Sequence, residues 1–140
     1  MPKIILSEIA EFLQQPLHAI VATNPADGAP QLSPVWYIYE DETLYISILH
    51  KSAKRRNLER DPRISVCIDG GRADVRYVTF YGVAQLFGPD TDLQDAWRKR
   101  IIRQYNPTDE AAQRYYEEVK DTPATLIVLK PDRVIGDDFN

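Results

Sequence analysis

The chain has 140 residues, with 17 Lys and Arg against 21 Asp and Glu, a formal net charge of −4 and 44% hydrophobic residues. This is an ordinary globular composition, long enough to bury a core as one domain over residues 1–140. It excludes an internal disulfide, because Cys67 is the only cysteine, and a helical membrane span, because no apolar run approaches about 20 residues. The acidic balance also argues against a general nucleic-acid surface.

Met1-Pro2-Lys3-Ile4-Ile5-Leu6 has neither the apolar stretch nor the cleavage site of a secretory signal, so a cytoplasmic location is expected. Ile5, Ile9, Phe12 and Leu13 share a helical face, which predicts a helix over residues 4–14 that Pro16 stops. Residues 18–23 are apolar and short, as a strand is. Asn24-Pro25-Ala26-Asp27-Gly28 then carries hairpin chemistry into a second strand over residues 30–39. Pro34 cannot donate a ladder bond, which predicts an edge position or a bulge there. Glu40-Asp41-Glu42 is a polar turn, and residues 43–49 alternate, with Leu44, Ile46 and Ile48 on one face.

Residues 51–63, Lys-Ser-Ala-Lys-Arg-Arg-Asn-Leu-Glu-Arg-Asp-Pro-Arg, hold six of the 17 basic residues. Ser52 is a natural N-cap and Pro62 a natural stop, so a short helix is predicted between them. Lys54, Arg55 and Arg56 then fall in the first turn, where the helix dipole disfavours cations by several tenths of a kcal/mol each. One explanation is a solvated helix with Glu59 and Asp61 as counter-charges. The other is an anion, such as a phosphate, held at the helix start.

Residues 64–69 alternate as a strand, and Gly70-Gly71-Arg72-Ala73-Asp74 turns the chain. Residues 75–87 read as one long strand with Val78, Phe80, Ala84 and Leu86 on one face, and Gly82 marks a bulge or a close approach. Leu93, Ala96, Trp97, Ile101 and Tyr105 share the face of a further helix. Thr108 caps another, with Ala112, Tyr115, Tyr116 and Val119 expected inward. Residues 124–129 form a last strong strand, and residues 131–140 read as a short tail. Six strands with helices at the corners predict a mainly β, antiparallel split or closed barrel.

The usual catalytic groupings are missing. His18 and His50 are the only histidines, without metal-ligand spacing. Cys67 is expected as a packed core thiol. The acidic pairs Asp41/Glu42, Glu117/Glu118 and Asp137/Asp138 suit solvated positions, and no phosphate-loop or dinucleotide fingerprint occurs. What remains is an anion site beside a strand rich in aromatics. Trp36, Tyr37 and Tyr39 either pack the barrel or offer a flat apolar ligand a surface.

Three stretches, Asp27-Gly28-Ala29-Pro30-Gln31-Leu32-Ser33-Pro34-Val35-Trp36, residues 54–63 and Gly82-Val83-Ala84-Gln85-Leu86, resemble the signatures of the pyridoxamine 5′-phosphate oxidase-like, FMN-binding split-barrel proteins. Within that family the chain resembles most the small deazaflavin (F-420)-dependent reductases. The resemblance implies a six-stranded antiparallel split barrel that forms a homodimer with a flavin-type cofactor, FMN or F-420, at the subunit interface. It places cofactor contacts on Ser33, Pro34, Val35 and Trp36, on Ile46 and Ser47, and on Lys51, Ser52, Lys54 and Arg55, with Tyr77 reaching in from the partner chain. Ser33 stands where true pyridoxamine phosphate oxidases carry an arginine, and Tyr77 where they carry a glutamine. Residues 131–140 hold no counterpart of their substrate-binding segment, which argues against that reaction itself. The implied activity is hydride transfer between the cofactor and a small planar substrate, with no catalytic side chain. The alternative is a module that binds a flavin, haem or tetrapyrrole without turnover.

Overall fold

Period-two alternation dominates the chain and is read out as antiparallel sheet. The computed structural model describes residues 3–137, without the side chains of residues 3–6 and 137; Ile5 and the Asp137/Asp138 pair therefore lie outside the described side chains. The strands are β1 (Ala19–Thr23), β2 (Gln31–Val35), β3 (Ile38–Glu40), β4 (Thr43–Leu49), β5 (Arg63–Asp69), β6 (Tyr77–Val83), β7 (Gln85–Phe87), β8 (Ala124–Leu129) and β9 (Arg133–Asp137). The helices are α1 (Lys3–Phe12), α2 (Ala53–Arg60), α3 (Asp92–Gln104) and α4 (Asp109–Val119). A five-stranded sheet runs β2-β1-β5-β6-β9 and a four-stranded sheet runs β3-β4-β8-β7, with every pairing antiparallel. This is the mainly β split barrel with peripheral helices that the sequence predicts.

The strand count is nine among the described residues rather than six, for three physical reasons. The predicted strand over residues 30–39 breaks at Trp36 and Tyr37, where the chain leaves one sheet and enters the other. The predicted strand over residues 75–87 breaks at Ala84 for the same reason, and the Ala84 N–H donates to the Pro62 carbonyl at 2.8 Å. Finally, the expected tail is partly a strand, because Asp132 N–H bonds the Tyr81 carbonyl at 2.8 Å and leads β9 onto β6. Gly82 permits that close approach. A Cβ there would meet the Leu129 side chain at 2.8 Å and the backbone of Pro131 and Asp132 at 3.4 Å.

The core lies between the sheets. Val21, Leu44, Ile46, Val66, Phe80 and Leu129 are fully buried, each worth about 1.5–3 kcal/mol of apolar burial. Tyr37 and Tyr39 belong to this core as well, and the Tyr37 hydroxyl donates to the Gln15 carbonyl at 3.0 Å. Pro34 sits on the edge strand β2, where its missing N–H costs no ladder bond. Asp41 and Glu42 close the β3–β4 hairpin with φ of 52° and 57°, the left-handed pair that a two-residue hairpin turn needs.

Three expectations are corrected. Cys67 is not a core thiol. It alternates with the buried Val66 and Ile68, so it lies half-buried on the outer face of β5. In α3 the buried face is rotated from the apolar stripe: Gln94, Arg98, Ile101 and Ile102 are inward, while Leu93 and Ala96 are exposed. In α4 only Ala112 is buried, because this helix packs on α3 and not on a sheet.

Candidate functional site

The basic stretch resolves residue by residue. The Ser52 side chain caps α2 by accepting the Arg55 N–H at 3.3 Å. Arg55 donates to the His50 carbonyl and pairs with Glu59 at 2.9 Å. Arg56 donates to the Lys51 carbonyl at 2.7 Å, and Arg60 to the Asn24 carbonyl and Asn57 Oδ1, both at 3.1 Å. Arg63 pairs with Asp61 at 2.7 Å. Local counter-charges and carbonyls therefore occupy the arginines. The two lysines differ: neither ammonium, of Lys51 or of Lys54, has a hydrogen-bond or ion-pair partner among the described residues. Lys51 is exposed, where water solvates it. Lys54 is half-buried, and burial pushes its pKa below the usual value.

Asn57 fixes where Lys54 stands. Its buried side chain donates to Thr23 Oγ1 on β1 at 3.1 Å, and Asn24 donates to Asp61 Oδ2 at 3.2 Å, so the helix is tied to the barrel at its middle and at its C-terminal end. The start of α2 thereby meets the split between the two sheets. On that side β4 has no ladder partner beyond Tyr45, where its pairing with β3 ends. A cavity of about 410 Å³ opens there, within the usual size range of small-molecule sites. Pro34, Val35 and Trp36 line it from β2, Ser47, Ile48 and Leu49 from β4, and Lys54 from α2. His18 lines it too, and α3 and α4 add Arg98, Ile101, Ile102, Tyr115 and Val119. Among the described residues, the wall carries two cations and an imidazole and no carboxylate.

The cavity thus brings together Pro34, Val35, Trp36, Ser47 and Lys54 of the residues singled out in the sequence. Trp36 is braced from behind by Tyr105, with rings stacked at 4.7 Å and 5°. The Tyr105 hydroxyl donates to the Leu17 carbonyl and accepts from the Tyr37 N–H, and burial pushes its pKa up to about 12. Ser33 is next to this group on β2; its Oγ is buried with no partner among the described residues. Ile46 is sealed in the core, which leaves only its main chain to touch a ligand. Lys51, Ser52 and Arg55 flank the Lys54 corner without lining the cavity. Tyr77 lies on β6, on the outer face of the five-stranded sheet, away from this cavity. His50 ties β4 to β8, its Nδ1 lying 2.9 Å from Thr125 Oγ1. Sequence reasoning missed His18, Arg98 and Tyr115 as wall residues. His18 has no metal-ligand spacing and Tyr115 falls on the inward face of a helix, so neither carries a ligand signal, and Arg98 falls off the apolar stripe of its helix.

The outer face of the five-stranded sheet is the second feature. By register, Leu32, Ala22, Ser65, Tyr81 and Arg133 form one row across the strands, and Pro34, Ile20, Cys67, Thr79 and Ile135 the next. Leu32 is 64% exposed and Val83, at the end of the face, 54%. Pro34 belongs both to this face and to the cavity wall, so the cavity reaches the face at its β2 edge. No described helix is long and apolar enough to cross a membrane, and the described residues form no His, Cys, Asp and Glu group able to hold a metal.

These features can be set beside known proteins. A haem oxygenase, HutZ of Vibrio cholerae, is 28% identical over 92 residues, 61% of this chain and 52% of that protein. The match spans about half the length of that relative. The crystal structure of a conserved hypothetical protein from Mycobacterium tuberculosis is 27% identical, covering 97% of this chain and 84% of that one with a TM-score of 0.73. An F420 reductase superposes with a TM-score of 0.68 at 22% identity, over 89% of this chain and 94% of that one, and shares the fold. A family profile described as pyridoxamine 5′-phosphate oxidase matches residues 5–136, nearly the whole chain, and the chain belongs to that family.

Proposed function

We propose that this chain is an oxidoreductase whose cavity binds FMN or the deazaflavin F-420 and which passes a hydride between that cofactor and a small planar substrate. The observation that carries the reading is Lys54, a half-buried ammonium without a partner among the described residues, in a wall that holds no carboxylate. A cofactor phosphate supplies the missing anion, with Ser52 and Lys51 beside it. The orphaned Ser33 Oγ offers a further polar contact. Pro34, Val35 and Trp36 give a flat ring an apolar surface, and the unpaired edge of β4 from Ile46 onward offers main-chain groups to its polar rim. Arg55 is already held by His50 and Glu59, which leaves it a supporting charge. Such a cofactor supplies the hydride donor or acceptor itself, so the chain needs to bind, orient and exclude water, and requires no acid, base or nucleophile of its own.

The same reading makes residues 1–140 one cofactor-binding unit, paired with a second copy across the outer face of the five-stranded sheet. That face meets the cavity at Pro34 and carries Tyr77, which can approach a cavity only as the partner's contribution. A second reading, a haem- or tetrapyrrole-binding module without turnover, is favoured by one observation, the imidazole of His18 in the cavity wall. The purified protein titrated in turn with FMN, F-420 and haem separates the two by absorbance. The oxidoreductase reading expects a shifted flavin or deazaflavin band, bleached and restored with a reductant and a small electron-accepting substrate. A Soret band that collapses in His18→Ala, with no flavin or deazaflavin binding, would establish the second reading in its place.

A further inference from the structure

The cavity wall has a second cation that the cofactor reading does not use. Arg98 is 6% exposed on α3 and lines the cavity. Its Nη1 donates to the Val119 carbonyl at 3.1 Å and reaches the Lys120 carbonyl at 3.5 Å, and its Nη2 donates to the Thr122 carbonyl. These bonds cap the C-terminus of α4, a good place for a cation. Capping alone leaves two facts unexplained. A guanidinium has five N–H donors, and three carbonyls take no more than three of them. All three acceptors are also neutral, so a whole positive charge stays buried with no carboxylate in contact among the described residues. Asp95, one turn back, feels that charge, but its own oxygens are engaged by the Tyr116 hydroxyl at 2.7 Å and by Lys99 at 3.3 Å. Around Arg98 the cavity wall is apolar: Ile101, Ile102, Val119 and the ring of Tyr115, which leans on Trp36 at 5.3 Å.

We propose that the Arg98 end of the cavity is a subsite for a carboxylate carried on a flat apolar body, so that the substrate class is an aromatic or similarly planar carboxylic acid. This rests on the reading of the cavity as the ligand site, and it adds what occupies the Arg98 part of its wall. The free donors of Arg98 bind the carboxylate, and Ile102, Tyr115 and Trp36 bound the space for the planar body. An uncharged analogue leaves the buried guanidinium without a counter-charge and is rejected for that reason.

The test is calorimetric titration with benzoate and with benzamide, its neutral counterpart of nearly the same shape. The wild type binds benzoate at least tenfold more tightly than benzamide. Arg98→Lys keeps that preference by keeping the charge, and Arg98→Gln loses it. Because Arg98→Gln also weakens the α4 cap, a second variant leaves Arg98 intact. Val119→Glu places a carboxylate in the wall beside it, which abolishes benzoate binding while the melting temperature holds or rises. A structural cap alone would give no preference in any of these proteins. Equal affinities for the two probes, no benzoate binding by the wild type, or a preference that survives in both Arg98→Gln and Val119→Glu overturns the proposal. Lys54→Ala separates it from the cofactor reading. There the benzoate preference persists although FMN and F-420 bind more weakly, and a preference lost in Lys54→Ala would move the anion to Lys54 and overturn the Arg98 subsite. Failure of FMN and F-420 to bind the wild type, with the benzoate preference intact, would remove only the cofactor.

Discussion

Lys54 and Arg55 are neighbours with the same charge and opposite surroundings. Arg55 is spent on the His50 carbonyl and Glu59, whereas Lys54 meets apolar wall and has no counter-charge among the described residues. Burial holds the Lys54 pKa below its ordinary value of 10.5. Between that lowered value and 10.5 the unfolded chain binds the extra proton, so stability of the ligand-free protein rises with pH through this window as an unfavourable buried charge is lost. A bound phosphate favours the charged form and has the opposite effect. Cofactor affinity therefore falls as pH rises through the Lys54 pKa, with protons taken up on binding. FMN and F-420 titrations from neutral pH to pH ~10.5 check this, and the slope in that window is absent from Lys54→Ala. The sequence made Lys54 legible because a cation in a first helical turn breaks a local rule. It left Arg98 illegible, because an arginine between apolar positions of a helix reads as solvated until the fold places three carbonyls around it.

Among the elements, α2 shows how a short helix is held in position. Eight residues form it, too few for independent stability. Ser52 caps its start, Leu58 is buried, and Asn57 bonds Thr23, which is fully buried on β1. Asn57→Leu strands the Thr23 hydroxyl, which keeps only its contact to Gln31. We expect a loss of about 1–3 kcal/mol of stability in chemical denaturation, together with weaker cofactor binding as Lys54 loses its support. Unchanged stability would mean that Leu58 and the bonds of Asn24 and His50 hold the helix without Asn57. Element boundaries were legible where the code is local. The strand over residues 43–49 is observed as β4 with the same ends, and the Ser52 and Thr108 caps act as read. The breaks at Trp36–Tyr37 and Ala84 were not legible, because alternation continues while the chain changes sheets. The β9 strand was missed because Arg133, Gly136 and Asp137 dilute its apolar pattern and its stability comes from pairing with β6.

For the whole molecule, the exposed rows on the five-stranded sheet set the expectation. Leu32, Ile20, Tyr81 and Val83 leave apolar surface in water on one face, and such a face favours a partner. Sedimentation at micromolar concentration should give a dimer of the 16.1 kDa chain, and Leu32→Asp with Val83→Asp should shift it to monomer without unfolding it. A wild type that sediments only as monomer would contradict both the dimer and a cofactor site completed by the partner's Tyr77. The cofactor reading rests on a phosphate that answers the half-buried charge of Lys54. It is tested most directly by titrating FMN and F-420 into wild type and Lys54→Ala, with melting temperatures of both ligand-free proteins. A charge-assisted contact of about 1.5–3 kcal/mol predicts affinity weakened roughly 10–100-fold, with the ligand-free melting temperature unchanged or raised. Equal affinities in the two proteins would contradict the phosphate site, and a matching fall in the ligand-free melting temperature would make Lys54 a structural residue instead.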